Sequence, residues 1–296
     1  MNQAVELSRN SLSGAIKSKS ESARHSGVLH PLETKSELLV DQNVEFKARR
    51  IVGPAQALTA PQSGDPFLAP HPELFVGDIS HTHYCSLEQR PIVEQHLLVA
   101  TRQFESQETL LRMRDFVALC TCMCDVDGIG LYDAGRTAGA VQAHKHLQLL
   151  PLHTDDNRTA IPMMSLLGAV NGVGARIRNV RGLPFSHAFA WLTDTLFEQP
   201  LRAGEVTYDL YVDMMEALGM RGIRTDGEFR QPVAYSLILT RHWMLLVPRI
   251  CESYRGLTVN AYSYTGSFLI QSQETLDVLR DVGPMTALSA VARQRV

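Results

Sequence analysis

The chain has 296 residues, of which 45% are hydrophobic and 20% charged, with a formal net charge of −3. That leaves room for one large domain or two small ones, and argues against a broad nucleic-acid or acidic-membrane surface. No apolar run approaches the ~18 residues a membrane span needs.

Residues 1–25 read as an amphipathic helix carrying Val5, Leu7, Leu12 and Ile16, without the continuous apolar core of a secretory signal. "VEFKARRIV" (44–52) reads as a strand, and the Gly- and Pro-rich residues 53–72 as a long loop. "HTHYCSLEQ" and "HLLVATR" read as strands around the turn "RPIVEQ". "TLLRMRDFVALCTCMCDV" reads as a helix with Leu110, Met113, Val117 and Cys120 at helical steps. "GIGLYDAG" and "AHKHLQLLPL" read as strands, followed by a polar gap "HTDDNRTAIP". A helix at about 163–171, the turn "NGVGARIRNVRGLP" and the strand "HAFAWL" come next. "AGEVTYDLYVDMMEALGM" is an amphipathic helix, and "VAYSLILT" and "WMLLVPR" form a hairpin around Arg241 and His242. "GSFLIQS" and "ETLDVLRDV" are the last strand and helix. Hairpins dominate over strict strand–helix alternation, which predicts an α+β fold with a largely antiparallel sheet and flanking helices. Five cysteines without framework spacing suit free thiols in a reducing cytosol, so the expected location is cytoplasmic.

"AGAVQAHKHLQLLP" places His144, His146 and Gln148 at every second position. They share a face only in a strand, where i, i+2 and i+4 align. One reading is a half-exposed face with incidental histidines. A zinc site needs further ligands that no nearby cysteine pair or acid supplies. A third reading is nucleophilic: a neutral imidazole nitrogen attacks phosphorus while its other nitrogen is held by an acceptor. Gly135 and Gly139, just upstream, favour phosphate chemistry, because glycines let backbone N–H groups approach phosphate oxygens.

Other motifs carry blander readings. His81-Thr82-His83 reads as a strand edge or loop. Cys120, Cys122 and Cys124 diverge on a helix, and Met163-Met164 and Met214-Met215 read as core. Arg176, Arg178 and Arg181 read as a solvated turn.

"LYDAGRTAGAVQAHKHLQLLPL" resembles the diadenosine tetraphosphate phosphorylase (ATP adenylyltransferase) family. That family lies in the histidine-triad superfamily, in the branch with galactose-1-phosphate uridylyltransferase. The blocks "ELFVGDIS…HLLVATRQFESQ" and "YSLILTRHWMLLVPR…VNAYSYTGSFLIQSQE" agree, so the likeness runs from about residue 30 to 290. It implies a histidine-triad-like antiparallel sheet. It also implies a helical extension over 1–29, a nucleotidyltransferase region over 30–200 and an adenylyltransferase-like region over 201–296 on the same core. The implied reaction converts diadenosine tetraphosphate and phosphate into ATP and ADP through an AMP–histidine intermediate, with magnesium accompanying the nucleotide and no protein-bound metal.

By position, the resemblance makes His146 the nucleophile, His144 a helper and Gln148 a phosphate contact. Gly139, Ala140, Val141 and Gln142 match the phosphate loop, Asp133 a nucleotide-contacting asparagine, and Thr240 and Arg241 a second contact from the C-terminal part. Gln148 can donate and accept hydrogen bonds but cannot release a proton near neutral pH, which suits leaving groups that need none.

Several positions depart from the family pattern. Val141 replaces a serine, Ala143 a proline, and Glu88-Gln89 an Asn-Lys pair, so that Gln89 stands for a phosphate-contacting lysine. Asp65 stands where the family has a lysine before "PF". Arg90, Arg136 and Arg241 are the arginines that would compensate. Two further readings stay open: a related nucleotidyltransferase or dinucleotide hydrolase with another acceptor, and a weakly catalytic nucleotide-binding sensor.

Overall fold

The computed structural model describes residues 12–52, 64–152, 161–170, 176–225 and 228–295. Val5 and Leu7, residues 53–63 of the long loop, the polar stretch 153–160 and the glycine-rich turn at 171–175 lie outside the described residues.

Helix α1 (Leu12–His25) precedes the hairpin of β1 (Thr34–Asp41) and β2 (Val44–Ile51). A meander of β3 (Phe75–Asp78), β4 (His83–Leu87) and β5 (Leu97–Thr101) leads to helix α2 (Met113–Asp125). Strands β6 (Gly128–Ala134) and β7 (His146–Pro151), the short helix α3 (Met164–Leu167), β8 (Ala188–Trp191) and helix α4 (Pro200–Ala217) follow. A ribbon of β9 (Ile223–Thr225) and β10 (Glu228–Arg230) precedes the hairpin of β11 (Tyr235–Leu239) and β12 (Trp243–Pro248). A second ribbon, β13 (Ser253–Tyr254) with β14 (Leu257–Thr258), precedes β15 (Ser267–Ile270), α5 (Gln273–Val282) and α6 (Pro284–Val291).

Eight strands make one antiparallel sheet in the order β3-β4-β5-β7-β6-β11-β12-β8. The hairpin β11–β12 sits between β6 and β8, so early and late parts of the chain share the sheet. Alternation sorts its side chains onto two faces. Leu97, Val99, Leu147, Leu149, Leu237 and Leu246 pack with α1, α2 and α4. Ile129, Leu131, Ile238 and Leu245 pack on the other face against the small sheet β1-β2-β15 and helices α5 and α6. In α4, Gly204 lies against α2 so closely that a Cβ would stand 2.6 Å from Val117 Cα.

Two local readings change, and one strand escapes the sequence reading. The helix expected from residue 109 starts at Met113, because Asp115 Oδ2 accepts the Arg112 N–H at 2.8 Å and Leu110 N–H is taken by the Phe229 carbonyl of β10. The helix expected at 163–171 is one turn, Met164–Leu167, ending at Gly168. Strand β1 lacks apolar alternation. It is fixed by its register with β2 and by a two-residue turn in which Gln42 and Asn43 both take left-handed backbone. Among the described residues no helix is long and apolar enough to cross a membrane.

Candidate active site

The face that carries the second core is less covered where β5 and β7 meet, and there His146 opens β7. Its backbone is clamped by one amide: Gln107 Oε1 accepts the His146 N–H at 2.9 Å, and Gln107 Nε2 donates to the carbonyls of Asp133 (2.9 Å) and His146 (3.2 Å). His146 Nδ1 lies 2.8 Å from the His144 carbonyl oxygen. A carbonyl only accepts, so the hydrogen sits on Nδ1 and Nε2 carries the lone pair. Phe67 stacks on the ring at 4.6 Å and 21°. Burial pulls the His146 proton affinity below that of an ordinary histidine, against the opposing effects of the His144 carbonyl bond and the Glu88 carboxylate. The ring is therefore neutral at neutral pH, with one basic nitrogen, which is what a nucleophile at phosphorus requires.

The sequence reading of one shared face holds for the row. His144 and His146 both meet the Phe67 ring. His144 is buried, with Nδ1 2.7 Å from Asp65 Oδ2 and Nε2 2.8 Å from both the carbonyl and hydroxyl oxygens of Thr101. Its hydrogen bond to His146 is made through its carbonyl. Gln148 Oε1 accepts from His96 Nε2 at 3.0 Å, so the Gln148 amide presents its NH₂ group as the free donor. Burial lowers the His96 proton affinity, and its Nδ1 is buried without a partner. Lys145, on the opposite face, is fully buried between Glu105 (3.0 Å) and Asp115 (3.5 Å). His83, the first residue of β4, fits the reading of that motif as a strand edge, and its ring joins the same buried cluster at 3.0 Å from Asp115.

Asp133 is brought beside this row, its Oδ1 accepting from Ser236 Oγ and the Ala261 N–H, both at 2.8 Å. Burial pushes its carboxyl up to about 6, against the pull of Arg249 and these two donors. The loop between β6 and β7 turns through Arg136–Ala138 to Gly139, whose φ of 108° and approach to Asn260 (2.9 Å from a Cβ) admit only glycine. Arg249 anchors that loop from below, donating to the carbonyls of Ala138 (2.8 Å) and Val259 (2.7 Å). Ala140 and Gln142 are half-buried, and Val141 is 89% exposed in place of the family serine. Gln89 sits half-buried in the turn after β4, its carbonyl accepting from the His30 N–H.

The structure does not bring Thr240 and Arg241 to the site. By register Leu239 pairs with Gly130 and Tyr235 with Ala134, so the β11–β12 turn lies at the opposite end of β6 from Asp133, ~13 Å along the strand. Thr240 Oγ closes that turn, accepting from the backbone of His242 and Trp243. Arg241 caps α2 through the carbonyls of Met123 and Cys124. Arg136 is 87% exposed beside Glu252 and Arg241 is held at the end of α2, so neither arginine is placed beside His146.

Phe67, His96, Gln107 and Arg249 escape the sequence reading. Phe67 and His96 are signalled only by "DPF" after the long loop and by the histidine opening "HLLVAT"; Gln107 and Arg249 act through backbone geometry that no spacing reveals. Among the described residues no group of three or more His, Cys, Asp or Glu side chains is placed to hold a metal ion.

Residues 2–169 match the Ap4A phosphorylase N-terminal domain family, and residues 181–294 match the ATP adenylyltransferase C-terminal domain family. The Saccharomyces cerevisiae protein diadenosine 5',5'''-P1,P4-tetraphosphate phosphorylase 2 is 24% identical over 296 residues, covering 90% of this chain and 89% of the relative. The crystal structure of yeast Ap4A phosphorylase Apa2 in complex with AMP superposes with a TM-score of 0.79 at 21% identity, covering 98% of each chain. The complex of the same enzyme with Ap4A gives 0.78 at 20% identity, covering 98% of this chain and 99% of that one. The first of these domain matches alone spans more than half of the sequence, and the chain belongs to the Ap4A phosphorylase family.

Proposed function

We propose that this protein catalyses the phosphorolysis of diadenosine tetraphosphate to ATP and ADP, and its reverse, by transferring an adenylyl group through His146. The observation that carries this is the Nδ1 bond to the His144 carbonyl, which leaves a neutral ring with its lone pair on Nε2.

Nε2 attacks an α-phosphorus of the dinucleotide. The Nε2–P bond forms, the bridging P–O bond breaks, and ATP leaves with the bridging oxygen. Inorganic phosphate then attacks the same phosphorus, the P–N bond breaks and ADP departs, returning the lone pair to Nε2. Gln148, with its NH₂ group outward, donates to a phosphate oxygen without delivering a proton. That suits ATP as the leaving group and gives water no acid–base help. The loop at Gly139–Gln142 lies next to the row and supplies backbone N–H groups for the remaining oxygens. Magnesium enters as part of the nucleotide substrate and screens its phosphates. ATP, ADP and diadenosine polyphosphates are the expected ligands, and the cytoplasm the expected compartment.

The test is chromatographic analysis of products from magnesium and diadenosine tetraphosphate, with and without phosphate, beside His146→Ala. ADP and ATP formed only with phosphate, and lost in the variant, support the proposal. AMP and ATP without phosphate would make the protein a hydrolase. Bound dinucleotide without products would make it a sensor, the reading favoured by the exposed Val141 and by carboxylates at Asp65 and Glu88.

A further inference from the structure

His144 faces acceptors on both sides. Its Nε2 lies 2.8 Å from the Thr101 carbonyl oxygen, which only accepts. The Thr101 hydroxyl, also at 2.8 Å, spends its one hydrogen on the Gln103 carbonyl at 2.8 Å and so also accepts from Nε2. The other nitrogen, Nδ1, lies 2.7 Å from Asp65 Oδ2. The second oxygen of the same carboxylate, Oδ1, accepts the Phe67 N–H at 2.9 Å, and the Phe67 ring stacks on the nucleophile. Asp65 thus reaches His146 by two routes: through the His144 carbonyl that fixes Nδ1–H, and through the Phe67 ring that covers the imidazole. Resting on the adenylyl-transfer reading above, we infer that Asp65 is a positioning residue that holds His144 as a doubly protonated imidazolium and seats Phe67 on His146.

The arrangement exchanges one device for another. A lysine at this point would bring its charge on a flexible stem. Here a carboxylate brings none of its own to the phosphates but holds a hydrogen on each nitrogen of a rigid, buried ring two residues from the nucleophile. The ion pair is neutral as a whole, and its positive end lies on the strand that presents His146. Because the ring is locked at both nitrogens and packed against Phe67 and Phe104, its carbonyl is held in place as well.

Asp65→Asn separates the parts. Asparagine Oδ1 still accepts the Phe67 N–H, while its amide donates to Nδ1, so His144 keeps its place with one hydrogen instead of two. Asp65→Ala removes both contacts. The measurement is 15N NMR of protein labelled at histidine, with the His144 signals assigned by their loss in His144→Gln, beside steady-state kinetics on magnesium and diadenosine tetraphosphate. The wild type is expected to show hydrogens on both His144 nitrogens and Asp65→Asn on Nε2 alone. In that variant kcat is expected to fall about tenfold with KM within about twofold, and in Asp65→Ala further. A His144 ring carrying one hydrogen in the wild type, or Asp65→Asn with unchanged kcat, overturns the inference. A wild type that makes no ATP and ADP overturns the adenylyl-transfer reading instead, and the ring spectrum then decides the Asp65–His144 pairing by itself.

Discussion

His146 Nδ1 and the His144 carbonyl oxygen lie 2.8 Å apart, so the backbone of one histidine selects the reactive nitrogen of the other. Burial outweighs the opposing pull of this bond on the ring's proton affinity, and that has a consequence for pH. Burial lowers the His146 proton affinity, so the basic nitrogen stays available below the ordinary histidine value of about 6.5. The burst of ATP from enzyme and dinucleotide without phosphate should therefore fall on acidification with its midpoint below about pH 6.5. Rapid-quench measurement of that burst checks it, since phosphate, whose own protonation changes near neutrality, is left out. A limb centred at or above 6.5 would mean the ring is not desolvated as the structure has it.

Asp133 lies beside the row proposed to take the nucleotide, with a carboxyl whose affinity for protons burial has raised to about 6. Above that pH it is a charge where the family pattern has an amide. Asp133→Asn keeps an oxygen for Ser236 Oγ and the Ala261 N–H and removes the charge. The expected result is a KM for dinucleotide lowered by roughly fivefold at pH 7.5, the size of ~1 kcal/mol of repulsion in a partly screened site. Near pH 5, where Asp133 is already protonated, variant and wild type should converge. An equal effect at both pH values would trace the change to packing instead.

Much of this site was legible because strand periodicity is short-range. Alternation alone put His144, His146 and Gln148 on one face, and the glycines before them marked the turn that Gly139 makes against Asn260. What was not legible depends on partners far along the chain. Phe67 and Asp65 reach the row from a loop 79 residues before His144. Gln107 clamps His146 across 39 residues, and Arg249 holds the Ala138 carbonyl across 111. Thr240 and Arg241 show the converse. They lie on the strand pair that flanks Asp133, but the antiparallel register carries the turn to the far end of the sheet. The fold class followed from the hairpins, whereas β1, half-exposed and without alternation, needed its partner β2 to become a strand.

Gln107 satisfies three buried backbone groups at once, two of them on His146. Gln107→Ala leaves the His146 N–H without its acceptor and both carbonyls without their donor, at a cost of ~2–3 kcal/mol. The nucleophile also loses its anchor, so kcat should fall by more than tenfold in protein that is still folded. Urea unfolding and kcat measured on the same preparation test both halves. A stability loss without a change in kcat would show that β7 holds His146 unaided.

Acid should destabilise the protein in the range where ordinary histidines titrate. Burial lowers the proton affinities of His96, His146 and His187, the last to about 4. Below about pH 6.5 the unfolded chain takes up these protons and the folded chain does not, so each such group removes up to ~1.4 kcal/mol per pH unit until its folded value is reached. Asp133, with its raised value, works in the opposite direction between its unfolded value and about 6, and offsets one of the three. Stability from urea titrations should fall steadily between pH 6.5 and pH 5. His187→Gln, which removes one buried ring that accepts the Val180 N–H, should make the slope shallower.

Lys145 lies between the two histidines in sequence and behind them in space, its ammonium 3.0 Å from Glu105, 3.5 Å from Asp115 and 3.2 Å from the Leu110 carbonyl. Burial tends to raise the Asp115 carboxyl, but the His83 hydrogen bond, Lys145 and the Arg112 N–H together bring it below the usual carboxylate range. Lys145→Met removes the cation and leaves two carboxylates facing a buried space, a change that costs about 3–5 kcal/mol. Its effect should be on stability alone, because the side chain points to the helical face and the nucleophile to the other. The variant is expected to unfold at markedly lower urea than the wild type, yet to show near-normal kcat at a temperature where circular dichroism finds it folded. A collapse of kcat in folded Lys145→Met protein would show that the cluster behind β7 sets the position of His146 in front of it.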